Sequence, residues 1–362
     1  VFSMLTDFAA QFPTTDLWLD SMVEEDIRFA LSHGSKGITT APSITRASLE
    51  AEHDVWAPVL LSQMERQPAA TERRLLWSAM YELAGQRAKA VLPLYDANGT
   101  SGRFAIQVDI YHYNDTKAMI EQARHIHTLG NNFFVKIPTT AAGLIAMEEI
   151  VAEGHSVMAT SCASVSQVSA AVEALERGYD RCVKAGRSTE GLSLACAMQL
   201  GFQDACIHNY AAQHGLSLSC GAQQYGAVAV GKKAYELIRR KGSRVRFVLS
   251  NFTEDLHWTE FVGGDLIMTM PMRWQTKLEA ISSYQSRIDA AVDEQIIQEL
   301  TDKIPHFAKE YQENALSPEE FLTFPTVSRI INAFLVSYHK ALLMTRSIIL
   351  PDPCGSEAPF VY

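Results

Sequence analysis

Short apolar runs recur along the chain, and most are followed by longer stretches in which apolar positions return every three to four residues. LWLD (17–20) gives way to MVEEDIRFALSHG, whose spacing predicts a helix closed by Gly34. KGITT (36–40) precedes APSI, where Pro42 ends the extended run. RFAIQVDIY (103–111) leads into DTKAMIEQARHIHTLG, a helix that Asp115 or Thr116 can cap. NNFFVKI (131–137) is followed by AAGLIAMEEIVAEG, and HSVMATS (155–161) by SVSQVSAAVEALERGYDRCVKAG. GLSLACAMQ (191–199), SRVRFVLSN (243–251) and DLIMTM (265–270) bring the series of strands to eight.

Parallel neighbours need crossover connections, so eight strands with intervening helices predict an α/β fold of the closed (β/α)8 type, a TIM barrel. A doubly wound open sheet is the competing arrangement. Residues 277–349 read as mostly helical, including RIINAFLVSYHKALLMTRSII. The expected organisation is a barrel over 1–276 and a C-terminal helical extension over 277–362 packed on it. That extension also offers a surface for a homodimer.

Composition narrows the classes of function. The 362 residues are 47% hydrophobic and carry 41 acidic against 31 basic side chains, a net charge of −10. Nucleic-acid binding needs a basic face, so it is not expected, whereas a small anionic or neutral substrate is compatible. No apolar stretch reaches about 18 residues, so no membrane span is expected. The six cysteines (Cys162, Cys182, Cys196, Cys206, Cys220 and Cys354) include no CxxC pair. Reduced thiols in a cytoplasmic protein are the expectation. HIH at 125–127 would place its two imidazoles on different helix faces, so no metal site is expected there. No GxGxxG or Walker pattern occurs, and no cofactor is called for.

A barrel of this kind presents its chemistry at the C-terminal ends of its strands. Those ends supply Asp20, Thr39, Thr40, Gln107, Asp109, Lys136, Thr160, Gln199 and Ser250. Lys136 is the only amine among them, and it closes the apolar run FFVKIP. Burial disfavours an ammonium ion, and a neutral amine can attack a ketone or aldehyde to form a Schiff base. The competing reading is a lysine that snorkels to solvent. Asp20 suits proton transfer to and from a substrate hydroxyl, and equally suits capping the next helix. Thr160 can hold a water or hydroxyl, and Gln107 can orient one without acting as a base.

At these positions the sequence resembles the transaldolase family, Schiff-base aldolases built on (β/α)8 barrels. LWLDSM is similar to the segment with the family's catalytic aspartate, which falls on Asp20. KGITTAPSI resembles GVTTNPSI, and GRFAIQVD resembles GRVSxEVD. FFVKIPTTAAGLIAMEEIVAEG resembles the segment of the imine-forming lysine, which falls on Lys136; the catalytic threonine falls on Thr160. The resemblance implies catalytic roles for Lys136, Asp20, Thr160 and Gln107. Substrate contacts are expected at Thr39, Thr40, Gln199, Phe202 and Ser250.

The departures matter as well. The family's signature asparagine is Ala41, its positioning glutamate is Gln107, as in fructose-6-phosphate aldolases, and a further asparagine is Met158. In AMQLGFQD, Ala197 and Phe202 stand where a serine and an arginine hold sugar phosphate. A lysine enzyme acting on a divergent, non-phosphorylated carbonyl compound in a specialised biosynthetic pathway is therefore the leading expectation. Orthodox transfer of a dihydroxyacetone unit between sugar phosphates and a catalytically silent scaffold barrel are the alternatives.

Overall fold

The computed structural model describes residues 4–281 and 283–352. At its centre eight parallel strands close into a barrel in chain order: β1 (Thr15–Leu19), β2 (Gly37–Thr39), β3 (Arg103–Gln107), β4 (Phe133–Pro138), β5 (Val157–Cys162), β6 (Leu194–Gln199), β7 (Arg246–Ser250) and β8 (Leu266–Met270). The ring closes through β1 and β8, with Thr15 beside Leu266 and Leu19 beside Met270. That pairing makes the fold the (β/α)8 barrel read from the sequence and rules out the open sheet.

Helices α1 (Met4–Gln11) and α2 (Glu24–Ser32) flank β1. Between β2 and β3 run α3 (Pro42–Ala51), α4 (His53–Arg66) and α5 (Glu72–Val91), a region to which the strand-then-helix pattern assigns nothing. α5 is covered on several sides, packing on β3, α2 and α4 and beneath the last helix. Its buried residues Leu75, Leu76, Ala79, Met80, Leu83, Ala84, Arg87, Ala88 and Val91 recur at helical spacing along one broad face. The outer layer continues with α6 (Thr116–His127), α7 (Ala141–Ala152), α8 (Val165–Lys184), α9 (Leu200–Gln213), α10 (Cys220–Arg240), α11 (Leu256–Thr259) and α12 (Met272–Glu279). α12 follows β8 and crosses position 276/277. Beyond it come α13 (Glu294–Lys303), α14 (Pro305–Tyr311), α15 (Pro318–Phe321) and α16 (Pro325–Ile349). α16 lies across α3, α4, α5 and α9 and reaches β5, so it covers part of the barrel's C-terminal face.

Successive side chains on a strand point to opposite faces. Inside the barrel this alternation builds an apolar layer from Trp18, Ala105, Phe134, Met158, Ala195, Ala197, Val248 and Ile267, separate from the larger core between strands and helices. Gly37 belongs to the same layer. A Cβ at 37 would run into the Trp18 indole, so glycine is what lets that ring lie across the barrel. Below the layer, two residues back along the strands, stand Asp16, Arg103, Asn132, Ser156 and Arg246. The free thiols among the described residues are Cys162, Cys182, Cys196, Cys206 and Cys220; Cys354 lies outside them. Among the described residues, no helix is long and apolar enough to cross a membrane.

Candidate active site

Two residues beyond the apolar layer, each strand contributes one polar side chain to a ring at the C-terminal mouth. The ring consists of Asp20, Thr39, Gln107, Lys136, Thr160, Gln199, Ser250 and Thr269. All are buried except Asp20, which keeps part of its surface open. Seven of the eight are strand-end residues read from the sequence. Thr269 was not, although DLIMTM places it two residues past Ile267, where the same alternation finds it.

Lys136 is 5% exposed. β4 holds it beside Gln107 of β3 and Met158 of β5. Its Nζ donates to the Thr40 carbonyl at 2.8 Å. Burial pushes the pKa of this amine down, and the negative charge of Asp20 opposes that shift. Asp20 is affected in the mirror sense. Burial pushes its carboxyl up, while Lys136 and a hydrogen bond from Thr39 pull it down. The Thr39 hydroxyl donates to Asp20 Oδ1 at 2.7 Å and also contacts the Thr269 hydroxyl. The result is a buried amine and a neighbouring acid that each hold their charge less firmly than in water.

On the opposite arc Gln199 Nε2 donates to Thr160 Oγ1 at 2.8 Å. That bond occupies an acceptor site of the hydroxyl and leaves its proton available to a ligand. Gln199 Oε1 and both amide atoms of Gln107 have no hydrogen-bond partner although they are buried. Unsatisfied buried polar atoms are rare in folded proteins, and their concentration here points to groups kept for a ligand or water.

The other expected residues take different places. Thr40 contributes its carbonyl to Lys136, while its hydroxyl donates to the Ala105 carbonyl at 3.0 Å. Ser250 Oγ faces the Met198 carbonyl at 3.4 Å. Phe202 lies edge-on to Phe334 of α16, ring centroids 6.4 Å apart. Asp109, read as a strand end, sits past β3 at a turn. Its Oδ2 accepts from Arg73 Nε at 2.6 Å, Trp77 Nε1 at 2.7 Å and Tyr338 Oη at 3.1 Å, so it fastens α16 and α5. Tyr338 joins Ala41, Leu76, Trp77, Met80 and Ile110 around an apolar cavity of about 20 Å³ that reaches Thr40 and Gln107. That volume has room for about one water.

In the HIH stretch His127 stacks on His155, centroids 4.4 Å apart, and burial pushes its pKa down to about 3. Among the described residues no group of three or more His, Cys, Asp and Glu side chains could hold a metal ion.

The family profile described as transaldolase/fructose-6-phosphate aldolase matches residues 17–319. A transaldolase of Mycobacterium ulcerans is 25% identical over 299 residues, covering 74% of this chain and 78% of its own. One of Thiobacillus denitrificans is 25% identical over 307 residues, covering 77% and 85%. A transaldolase of Mycobacterium tuberculosis is 24% identical over 311 residues, covering 78% and 79%. With the barrel closed and its single amine at the mouth, the chain belongs to the transaldolase/fructose-6-phosphate aldolase family and is an aldolase- or transferase-type enzyme.

Proposed function

We propose that Lys136 forms an imine with a ketone or aldehyde, and that the enzyme makes, breaks or transfers the adjacent carbon–carbon bond of a non-phosphorylated substrate. The observation that carries this reading is the single amine in a ring of eight polar side chains, buried, held by one carbonyl and opposed by one carboxylate.

The neutral amine adds to the carbonyl carbon, forming a C–N bond, and the carbonyl oxygen gains a proton. Loss of that oxygen as water, with a further proton given by Asp20, leaves a protonated imine and the Asp20 carboxylate. When the C–C bond breaks, its electron pair moves toward the imine nitrogen and gives an enamine. Asp20 takes the proton of the departing hydroxyl and so releases an aldehyde. Addition of the enamine to another aldehyde followed by hydrolysis of the imine completes transfer; protonation of the enamine followed by the same hydrolysis completes cleavage. Thr160, Gln107 and Gln199 hold the water these steps consume or expel. Gln107 orients it without taking its proton.

The substrate assignment rests on what the ring lacks. It contains no cation besides Lys136, so nothing in it offers a phosphate the bidentate, permanently charged contact of an arginine. Met158 and Ala197 belong to the apolar layer beneath. Phe202 packs on Phe334. Ala41 lines the apolar cavity beside Gln107, where the family's asparagine would have placed a polar amide.

The test compares kcat/KM for matched substrates with and without phosphate, such as fructose 6-phosphate against fructose and dihydroxyacetone, with phosphorylated and plain aldehydes as acceptors. The expected result is turnover of the plain compounds at least equal to that of the phosphorylated ones. A preference for sugar phosphates of about 100-fold or more, some 2.7 kcal/mol, would instead establish orthodox transaldolase transfer.

A further inference from the structure

Away from the mouth, a groove of about 530 Å³ lies on the flank of the barrel where α9, α14 and the first turn of α16 meet. Asn209, Tyr210 and Gln213 line it from α9, His306 and Lys309 from α14, and Arg329 from α16. Its size is that of a small-molecule site.

Three independent features give it a chemical character. First, the chain carries a net charge of −10, yet no carboxylate lines this groove. Neither Lys309 nor Arg329 makes an ion pair among the described residues. Glu310, next to Lys309, is fully buried and turned to the Thr326 hydroxyl. Burial pushes the Glu310 carboxyl well above its usual range. Second, the 25-residue α16 starts here at Pro325, and no side chain caps its amino terminus. Thr326 and Val327 of its first turn are buried, so the terminus acts on the groove through the positive end of the helix dipole rather than through exposed amides. Third, His306 is 8% exposed, and its Nε2 has no hydrogen-bond partner. Burial pushes its pKa down to about 4, so the ring is a neutral hydrogen-bonding group. An unpartnered ring nitrogen in the wall of a groove is the kind of orphan that a ligand satisfies.

We propose that this groove binds a phosphate monoester of a small organic molecule. The phosphate lies at the amino terminus of α16 between Lys309 and Arg329, and the organic part lies against Tyr210 and Phe324. Two unpaired cations and a helix terminus suit a dianion better than a single carboxylate. The groove is too large for phosphate alone, and the Tyr210 ring, edge-on to His306 with centroids 5.4 Å apart, supplies an apolar wall. The occupant would sit at the first turn of the helix whose Phe334 and Tyr338 reach toward the mouth.

Phenyl phosphate is a suitable probe because it has no carbonyl and cannot form an imine. Calorimetric titration of the full chain at low salt, with phenyl phosphate and with inorganic phosphate, tests the assignment. One saturable site per chain is expected, binding phenyl phosphate about tenfold or more tighter than inorganic phosphate. The double variant Lys309→Gln/Arg329→Gln, both surface positions, should weaken binding at least about tenfold with an unchanged melting temperature. His306→Phe should weaken it as well, and Lys136→Met should leave it intact. Absence of saturable binding up to about 10 mM would overturn the proposal. So would binding that is lost in Lys136→Met and kept in the double variant, because the anion would then occupy the mouth.

Discussion

Two buried cations stand in the barrel two layers apart, and they are treated in opposite ways. Arg103, below the apolar layer, is fully buried and surrounded by acceptors: the carbonyls of Gly191 at 2.8 Å, Gly99 at 3.4 Å and Asn131 at 3.4 Å, and the Ser193 hydroxyl at 2.9 Å. Its guanidinium also faces the Tyr95 and Phe134 rings. Lys136, above the same layer, has one carbonyl and the charge of Asp20. A buried charge persists when it is amply hydrogen-bonded, and it tends to give up its proton when it is not. The lower layer is thus built to keep a cation, and the upper one to let a lysine become an amine. Arginine cannot deprotonate in a protein, so the residue types match these two tasks.

The sharpest break in that contrast is Lys136→Met. Removing the amine should abolish carbon–carbon bond chemistry, a loss of more than about 10⁴-fold in kcat/KM. Because the site gives a cation so little support, the variant should melt at or above the temperature of the parent protein. A scan of circular dichroism against temperature checks the second half.

Asp20→Asn should lower kcat by about 10²- to 10⁴-fold while leaving imine formation possible. It should also move the pH dependence of imine formation. Lys136 already titrates below its ordinary value, and Asp20 is the influence that holds its pKa up. Removing that charge should therefore shift the midpoint to lower pH still. A shift to higher pH would mean that Asp20 does not act on Lys136 as the geometry indicates.

Arg103→Met should do the reverse of Lys136→Met. Stranding the acceptors around it should cost about 2–4 kcal/mol of stability, read from denaturant unfolding, with kcat/KM per folded molecule unchanged. The smallest effect is expected from Tyr338→Phe. It removes one of three donors to Asp109 Oδ2 and should cost about 1 kcal/mol.

Much of this was legible in the chain. The eight apolar runs defined the barrel because a parallel sheet buried on both faces must be written as short apolar segments. FFVKIP and LWLD exposed Lys136 and Asp20 because a charge ending such a run stands out. Thr269 was equally readable, since DLIMTM alternates through it, but a threonine at a strand end carries no charge to draw notice. Other features depend on segments far apart in sequence. Nothing near Asp109 announces that Arg73, Trp77 and Tyr338 converge on it, and that convergence turns an apparent site residue into an anchor. Phe202 likewise finds Phe334, 132 positions along, only through the path of α16. Helix α5 was legible too, since Leu75, Leu76, Ala79, Met80, Leu83, Ala84 and Ala88 recur at helical spacing.

The most direct test of the account is borohydride trapping followed by intact and peptide mass spectrometry. The purified enzyme would be incubated with dihydroxyacetone, fructose 6-phosphate and a set of plain aldehydes and ketones. One reduced adduct per chain is expected, on the peptide containing Lys136, absent from Lys136→Met and strongest with a compound that lacks phosphate. An adduct on another lysine, or none from any compound, would contradict imine chemistry at Lys136 and favour a barrel that binds without catalysing.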